Sequence, residues 1–163
     1  MPATDFLALI RALNEHEVDF IVVDGVAAVL EGAPISTFDL DIVHSRTVQN
    51  VQRLVGALTA LDAHYRLQPE RRIRPQTSHL LSAGHQLLMT RYGPLDVLGA
   101  IGESRGYEEL IEHVTELEAE PGQFIRFLKL AKLIEVKSET AGEKDFATLP
   151  ILRKTLEEKG ADK

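Results

Sequence analysis

The sequence predicts an α/β fold, in the broad sense that includes α+β proteins, with one mixed sheet flanked by helices and further helices at the C-terminal end. Two observations indicate this fold class. Amphipathic helical patterns alternate with short apolar or β-branched runs over about residues 18–101, the expected core. The patterns over about residues 106–160 are mainly helical. With 163 residues, the chain is expected to form a single domain, 1–163, long enough to bury a core.

The first half of the chain alternates helices and strands. The predicted elements are a helix at 4–15, a strand at 18–23, a short helix at 26–30, a strand at 36–43 and a helix at 48–61. Gly32 is suited to end the second helix, and Ser45 or Thr47 can cap the third. The polar residues 64–78 are expected to form a loop or an edge hairpin.

The second half begins with a strand pair and ends in helices. The predicted elements are strands at 85–90 and 95–101, a short helix at 106–113, strand-like runs around 116–118 and 124–127, a helix at 128–136 and an amphipathic segment at 146–156. Gly93-Pro94 indicates a tight turn between the first two strands. Pro150 is expected to break or bend the last segment, because proline lacks the amide hydrogen that a helix interior uses.

Composition excludes several classes of function. The formal net charge of −7 argues against broad, non-specific nucleic-acid binding, which needs a basic face. The chain has no cysteine, which excludes disulfides and thiolate metal sites. No apolar run reaches membrane-spanning length and no signal-peptide pattern is present, so a cytoplasmic location without membrane partners is expected.

Two aspartates lie two positions apart in the second predicted strand. Because strand side chains alternate between faces, Asp39 and Asp41 are expected to share one face. Phe38 and Leu40 are expected on the opposite, apolar face. Carboxylates held side by side repel unless a cation such as Mg²⁺ lies between them, although such a pair can also simply cap a strand end. Asp96, in the apolar run 94–98, supplies a third carboxylate, and three carboxylates suit a two-metal phosphoryl or nucleotidyl transfer site.

Other polar residues carry weaker signals. Residues 64–78 contain Arg66, Arg71, Arg72 and Arg74. These arginines could contact RNA or a nucleotide, but Tyr65 is their one aromatic neighbour, and a solvated loop is the expected account. The six histidines show no metal-ligand spacing, and His44, just past the Asp41 strand, is expected at the surface.

Several stretches occur together in a characteristic order. They are VVDGVA at 22–27, TFDLDI at 37–42, TRYGPLDV at 90–97, LIEVK at 133–137 and AGEKDF at 141–146. This order, over about residues 18–157, resembles the minimal nucleotidyltransferase fold, and in particular the bacterial AbiEii-type and related nucleotidyltransferase-like families. The resemblance implies transfer of a nucleoside monophosphate from a nucleoside triphosphate to a hydroxyl, with pyrophosphate leaving.

The resemblance also implies roles for individual residues. Asp39, Asp41 and Asp96 would be the catalytic residues and would bind two Mg²⁺ ions, with Mn²⁺ as the alternative. The nucleotide-binding residues would be Gly25, Thr37, Lys137 and Lys144. The acceptor could be tRNA, a protein or a small molecule. By analogy with toxin and phage-defence relatives, a cognate antitoxin or other partner protein could exist.

Three positions depart from the pattern of these families, and all three concern phosphate binding. Asp24-Gly25 stands where Gly-Gly or Gly-Ser is common, and the carboxylate of Asp24 would either repel a triphosphate or act as an ordinary helix cap. Ile35 and Glu143 stand where relatives carry arginine. The alternatives are therefore a catalytically degenerate binding or interaction module and, less favoured, a metal-dependent phosphohydrolase or nuclease.

Overall fold

A seven-stranded mixed sheet forms the centre of the computed structural model, which describes residues 3–143 and 145–161. The strands are β1 (Phe20–Val23), β2 (Leu40–His44), β3 (His64–Tyr65), β4 (His85–Thr90), β5 (Gly93–Leu98), β6 (Val114–Glu120) and β7 (Gln123–Leu128). Their order across the sheet is β3-β4-β5-β2-β1-β7-β6. The β2–β5 and β1–β7 pairs are parallel, and the other neighbouring pairs are antiparallel.

Helices flank this sheet. They are α1 (Phe6–Glu15), α2 (Asp24–Leu30), α3 (Val48–Ala60), α4 (Thr77–Leu81), α5 (Tyr107–Leu110), α6 (Leu130–Glu139) and α7 (Asp145–Ala161), with 3₁₀ turns at Pro69–Arg71 and Ile111–His113. α1 packs on α3 and β7, while α6 packs on α7 and α2. Asp5 and Thr47 cap α1 and α3, each accepting a hydrogen bond from a backbone amide in the first turn. No helix within the described ranges is long and apolar enough to cross a membrane.

The core lies around the middle strands. All four residues of β1 are buried, and in β2 Leu40, Ile42 and Val43 are fully buried. Strands covered on both faces carry apolar residues at nearly every position, which is why β1 reads as a continuous apolar run. A polar side chain on β2 or β5 is therefore conspicuous.

The predicted fold class is confirmed, and several boundaries differ from the predictions. Residues 64–78 contain edge strand β3, which pairs with β4 and agrees with the edge-hairpin alternative, followed by a 3₁₀ turn and the start of α4 rather than a plain loop. The helix predicted at 128–136 begins at Leu130, because Leu128 still belongs to β7. The expected C-terminal helical part also supplies β6 and β7 to the sheet.

Two further expectations were wrong. Phe38 is 75% exposed rather than on the core face, because β2 begins only at Leu40. Pro150 does not break the last helix, since α7 runs through it. Proline removes one hydrogen bond, to the carbonyl of Phe146, and the burial of Leu149 and Leu152 on either side holds the helix against the core.

Candidate active site

The acidic triad, Asp39, Asp41 and Asp96, comes together at one point of the sheet. Asp41 on β2 and Asp96 on β5 are direct partners in the parallel pair, so their side chains lie side by side. Asp39 lies at the bend just before β2. One carboxylate oxygen from each residue lies within 4.8 Å of the other two. The sequence prediction that these carboxylates are neighbours is confirmed.

The surroundings of the Asp41 carboxyl strongly disfavour its charged form. Its Oδ1 is buried and has no hydrogen-bond partner among the described residues. Burial, followed by contact with the carboxylates of Asp96 and Asp24, raises the pKa of Asp41 to about 9. Without a cation, Asp41 therefore holds its proton at neutral pH. A buried oxygen without a donor is costly, and a bound cation would offset that cost.

These donors fit a hard divalent cation. Mg²⁺ and Mn²⁺ prefer carboxylate oxygens, and the triad presents three carboxylates on one side of a cavity. A bound ion would satisfy the orphaned Oδ1 of Asp41 and offset the repulsion within the triad. The triad can therefore hold a metal.

Arg66 also lies in this site, although the sequence indicated a solvated loop residue. Its Nη1 lies 2.6 Å from Oδ1 of Asp96 and donates to the carbonyl of Leu88 at 2.8 Å. Its Nη2 lies 3.8 Å from Oδ2 of Asp39, and the side chain is 25% exposed. The guanidinium thus bridges two members of the triad. The hydrogen-bond partners Leu88 and Asp96 are 22 and 30 positions away in the sequence, so periodicity and local motifs cannot predict these contacts.

The other three arginines of this segment lie at the surface as expected. Arg72 and Arg74 each pair with the exposed Asp62, and Arg71 donates to Gln68. These contacts join side chains at the edge of the sheet and do not reach the triad. Exposed ion pairs of this kind contribute little to stability.

A second charged group also lines the site. Lys137 of α6 places its Nζ 3.0 Å from Oδ1 of Asp24 and 3.1 Å from Oδ1 of Asp145. Asp24 is the first residue of α2, has a left-handed φ of 57° and makes no capping bond, so of the two alternatives for Asp24 the ordinary helix cap was wrong. Its carboxylate instead faces the cavity and adds to the field that raises the pKa of Asp41.

The predicted nucleotide-binding residues have different surroundings. Lys137 is near the triad but is already held by two carboxylates. Gly25 lies against Thr37, and a Cβ at Gly25 would come within 2.5 Å of the Thr37 Oγ1, so only glycine fits. The Thr37 hydroxyl donates to the carbonyl of Asp39 at 3.3 Å and helps fix the bend before β2. Lys144 lies outside the described residues.

The two charged groups line one cavity of about 530 Å³. Part of its wall is apolar and is built from the end of β5, the following turn and α6: Leu98, Ile101, Leu133 and Val136. The size is within the range of cavities that hold small-molecule ligands. His85 also lines the cavity, with its Nε2 2.8 Å from the carbonyl of Ala100.

Sequence reasoning missed part of this site and misplaced one residue near it. The sequence allowed a nucleotide or RNA contact for Arg66 but favoured a solvated loop, Asp145 contributed only as part of the AGEKDF stretch, and the apolar wall was not predicted, because each is brought in by a different element of the fold. Asp24 was noticed, but its pairing with Lys137 spans 113 positions. His44 was expected at the surface and is 1% exposed, and burial lowers the pKa of its imidazole.

Comparison with known proteins supports the fold. No family model matches the chain, and no curated protein matches it. A solved structure from Thermotoga maritima, of a protein described as a "putative nucleotidyltransferase", is similar with a TM-score of 0.57 at 14% identity. The match covers 94% of this chain and 91% of that one. The resemblance to the AbiEii-type families in particular stays a prediction. This protein has a nucleotidyltransferase-like fold, with an acidic triad that can hold a metal.

Proposed function

We propose that this protein is a metal-dependent nucleotidyltransferase that moves a nucleoside monophosphate from a nucleoside triphosphate to a hydroxyl acceptor. The observation that carries the proposal is the acidic triad, with oxygens of Asp39, Asp41 and Asp96 within 4.8 Å of one another and with Oδ1 of Asp41 buried and unpartnered. Its position in a nucleotidyltransferase-like sheet supports the same reading.

The triad residues would each have a defined task. Asp39 and Asp41 would hold the Mg²⁺ ions, two by the resemblance and with Mn²⁺ as the alternative. Bound Mg²⁺ supplies charge neutralisation on the triphosphate and lowers the pKa of the attacking hydroxyl. Asp96 would complete the metal site and accept the hydroxyl proton. The acceptor oxygen forms a bond to the α-phosphorus as the bond to the bridging oxygen breaks, and pyrophosphate leaves.

The resemblance supplies the nucleotide-binding roles. Gly25 would open the helix whose N-terminus faces the phosphates, and Thr37, which fills the space beside Gly25, would hold the Asp39 bend in place. Lys137 would exchange one of its carboxylate partners for a phosphate oxygen, and by the resemblance Lys144 would add positive charge. The apolar wall at Leu133 and Val136 offers a surface for the nucleobase.

A second candidate is a degenerate module that keeps the fold and binds a partner without turnover. The Asp24–Lys137–Asp145 cluster favours this candidate, because it places two extra carboxylates near the triad. These carboxylates also pair with the Lys137 ammonium, which would otherwise be available to bind phosphates. Each extra negative charge disfavours a triphosphate.

Calorimetric titration separates the two candidates. ATP, GTP, CTP and UTP, each with Mg²⁺, are titrated into wild-type protein and the Asp41→Asn variant. The transferase proposal expects one nucleotide to bind only with metal and to lose binding in the variant. The binding module expects no nucleotide to bind either protein, with the variant at least as stable as wild type even in saturating Mg²⁺.

Once calorimetry has identified the donor nucleotide, a labelling experiment can identify the class of acceptor. The proposal expects an α-labelled nucleotide to be transferred to tRNA, to a protein or to a small molecule, and the three products separate by size. A nuclease would shorten RNA instead of labelling it. A toxin or defence role with a cognate partner protein predicts that co-expression of that partner suppresses the labelling.

A further inference from the structure

Arg66 bridges two carboxylates that the proposed metal would also use. We propose that Arg66 is a triphosphate-binding residue. In the metal-free protein it pairs with Asp39 and Asp96, and metal binding to these carboxylates displaces it so that its guanidinium can bind the phosphates. This role deepens the nucleotidyl transfer proposed above and rests on it. It links metal binding to nucleotide binding within one site.

The first support is that Arg66 and the metal need the same oxygens. Nη1 of Arg66 lies 2.6 Å from Oδ1 of Asp96, and Nη2 lies 3.8 Å from Oδ2 of Asp39. A divalent ion bonded to these carboxylates would lie about 2.1 Å from each ligand oxygen. The ion would then be close to the guanidinium, and like charges at that separation repel strongly. Metal binding and the present position of Arg66 therefore disfavour each other.

The second support is that Arg66 is free to turn toward the cavity. It follows the edge strand β3 and begins a segment that is largely exposed, including Leu67 at 78%. The Arg66 side chain itself is 25% exposed and lines the cavity. A long arginine side chain can reorient its guanidinium by torsions alone, without movement of β3.

The third support is that few cationic side chains line the described part of the cavity and could bind a triphosphate. Among the described residues that line the cavity, Arg66 and Lys137 are the arginine and lysine side chains. Lys137 is held between Asp24 and Asp145, whereas the carboxylate partners of Arg66 are ones that a metal would neutralise, which leaves the bond to the Leu88 carbonyl as the one that Arg66 must break to turn. The arginine fork also matches phosphate oxygens, which accept two parallel hydrogen bonds from it. Arg66 is thus the cation that metal binding would make available.

The test measures metal and phosphate binding separately, without turnover. Mn²⁺ binding is followed by electron paramagnetic resonance, and inorganic tripolyphosphate with saturating Mg²⁺ is titrated by calorimetry. The Arg66→Ala variant is expected to bind Mn²⁺ about tenfold more tightly and tripolyphosphate about tenfold more weakly than wild type. Arg66→Lys keeps the charge without the fork and should fall between them for tripolyphosphate. Arg72→Ala, a matched surface change at a residue that pairs with Asp62, should behave as wild type.

The outcomes are distinguishable from failure of the proposed function. If wild type binds Mn²⁺ but Arg66→Ala changes neither affinity, the role of Arg66 is refuted and the metal site stands. If Arg66→Ala weakens both ligands equally, Arg66 only supports the site, which also refutes the proposal. If wild type binds neither Mn²⁺ nor tripolyphosphate, the transferase itself is refuted. Should Arg66→Ala fail to fold, Arg66→Lys carries the test through the tripolyphosphate affinity.

Discussion

Replacing Asp41 with asparagine should stabilise the metal-free protein. Asp41 has an ordinary pKa of 3.8, which the fold raises to about 9, chiefly by burial. At pH 7 the unfolded chain carries an ionised Asp41, while the folded protein must keep it protonated. Asparagine is neutral in both states and removes this penalty.

The size of the effect follows from the linkage between proton binding and folding. A pH of 7 lies roughly three units above the ordinary pKa, and each unit corresponds to about 1.4 kcal/mol, which gives an upper limit of about 4 kcal/mol. Asp41 is only partly buried and lines the cavity, which reduces this penalty, so we expect Asp41→Asn to raise the free energy of unfolding by about 1–3 kcal/mol.

The pH dependence has a definite sign. Because the folded pKa of Asp41 is raised, its contribution to stability is fully present below about pH 4 and is lost as the pH rises toward 9. The free-energy difference between the variant and wild type should therefore grow with pH over this window. Urea denaturation in EDTA at a series of pH values measures it. Asp62→Asn is the control, because the pKa of Asp62 is lowered by Arg72, and its contribution should stay constant above pH 5.

Adding Mg²⁺ should reverse the order of stability. A ligand that binds the folded state stabilises it, so saturating Mg²⁺ is expected to raise the melting temperature of wild type but not that of Asp41→Asn. The reasoning is refuted if the variant is less stable than wild type in EDTA at every pH, or if the difference does not change between pH 5 and 9.

Two further substitutions test the surroundings of the triad. Lys137→Met should destabilise the protein by about 1–3 kcal/mol in urea denaturation, because it leaves Asp24 and Asp145 without their shared cation; the half-exposed Asp24 keeps the loss below that of a fully buried pair. Gly25→Ala should cost about 1–3 kcal/mol, because the new Cβ would lie 2.5 Å from Oγ1 of Thr37, and a double-mutant cycle with Thr37→Gly should recover much of that loss. An unchanged unfolding midpoint for either single variant would contradict the packing described for it.

The triad could be predicted from sequence because its signal is local. Asp41 and Asp96 each interrupt an apolar run with a lone carboxylate, and such a residue in a buried strand needs a reason to be there. That the two are direct neighbours on a parallel pair depends on strand order, which the sequence alone does not give. The resemblance implied that the three carboxylates bind metal together, but the strand order came from the structure.

The rest of the site depends on contacts between distant parts of the chain. Arg66 reaches Asp96 across 30 positions, and Lys137 reaches Asp24 across 113. Neither pairing produces a periodic pattern in the sequence from which it could be predicted. The short elements near Arg66 were missed for a similar reason: β3 has two residues and α4 has five, too few to show a helical or strand period.

The most direct test of the central claim is diffraction from crystals of this protein grown with saturating Mn²⁺, with anomalous scattering used to locate the metal. The proposal expects an anomalous peak about 2.2 Å from carboxylate oxygens of Asp39, Asp41 and Asp96, and no such peak in Asp41→Asn crystals. A triad without a peak at saturating Mn²⁺, with Arg66 still bound to Asp96, would contradict the metal site and the transferase built on it.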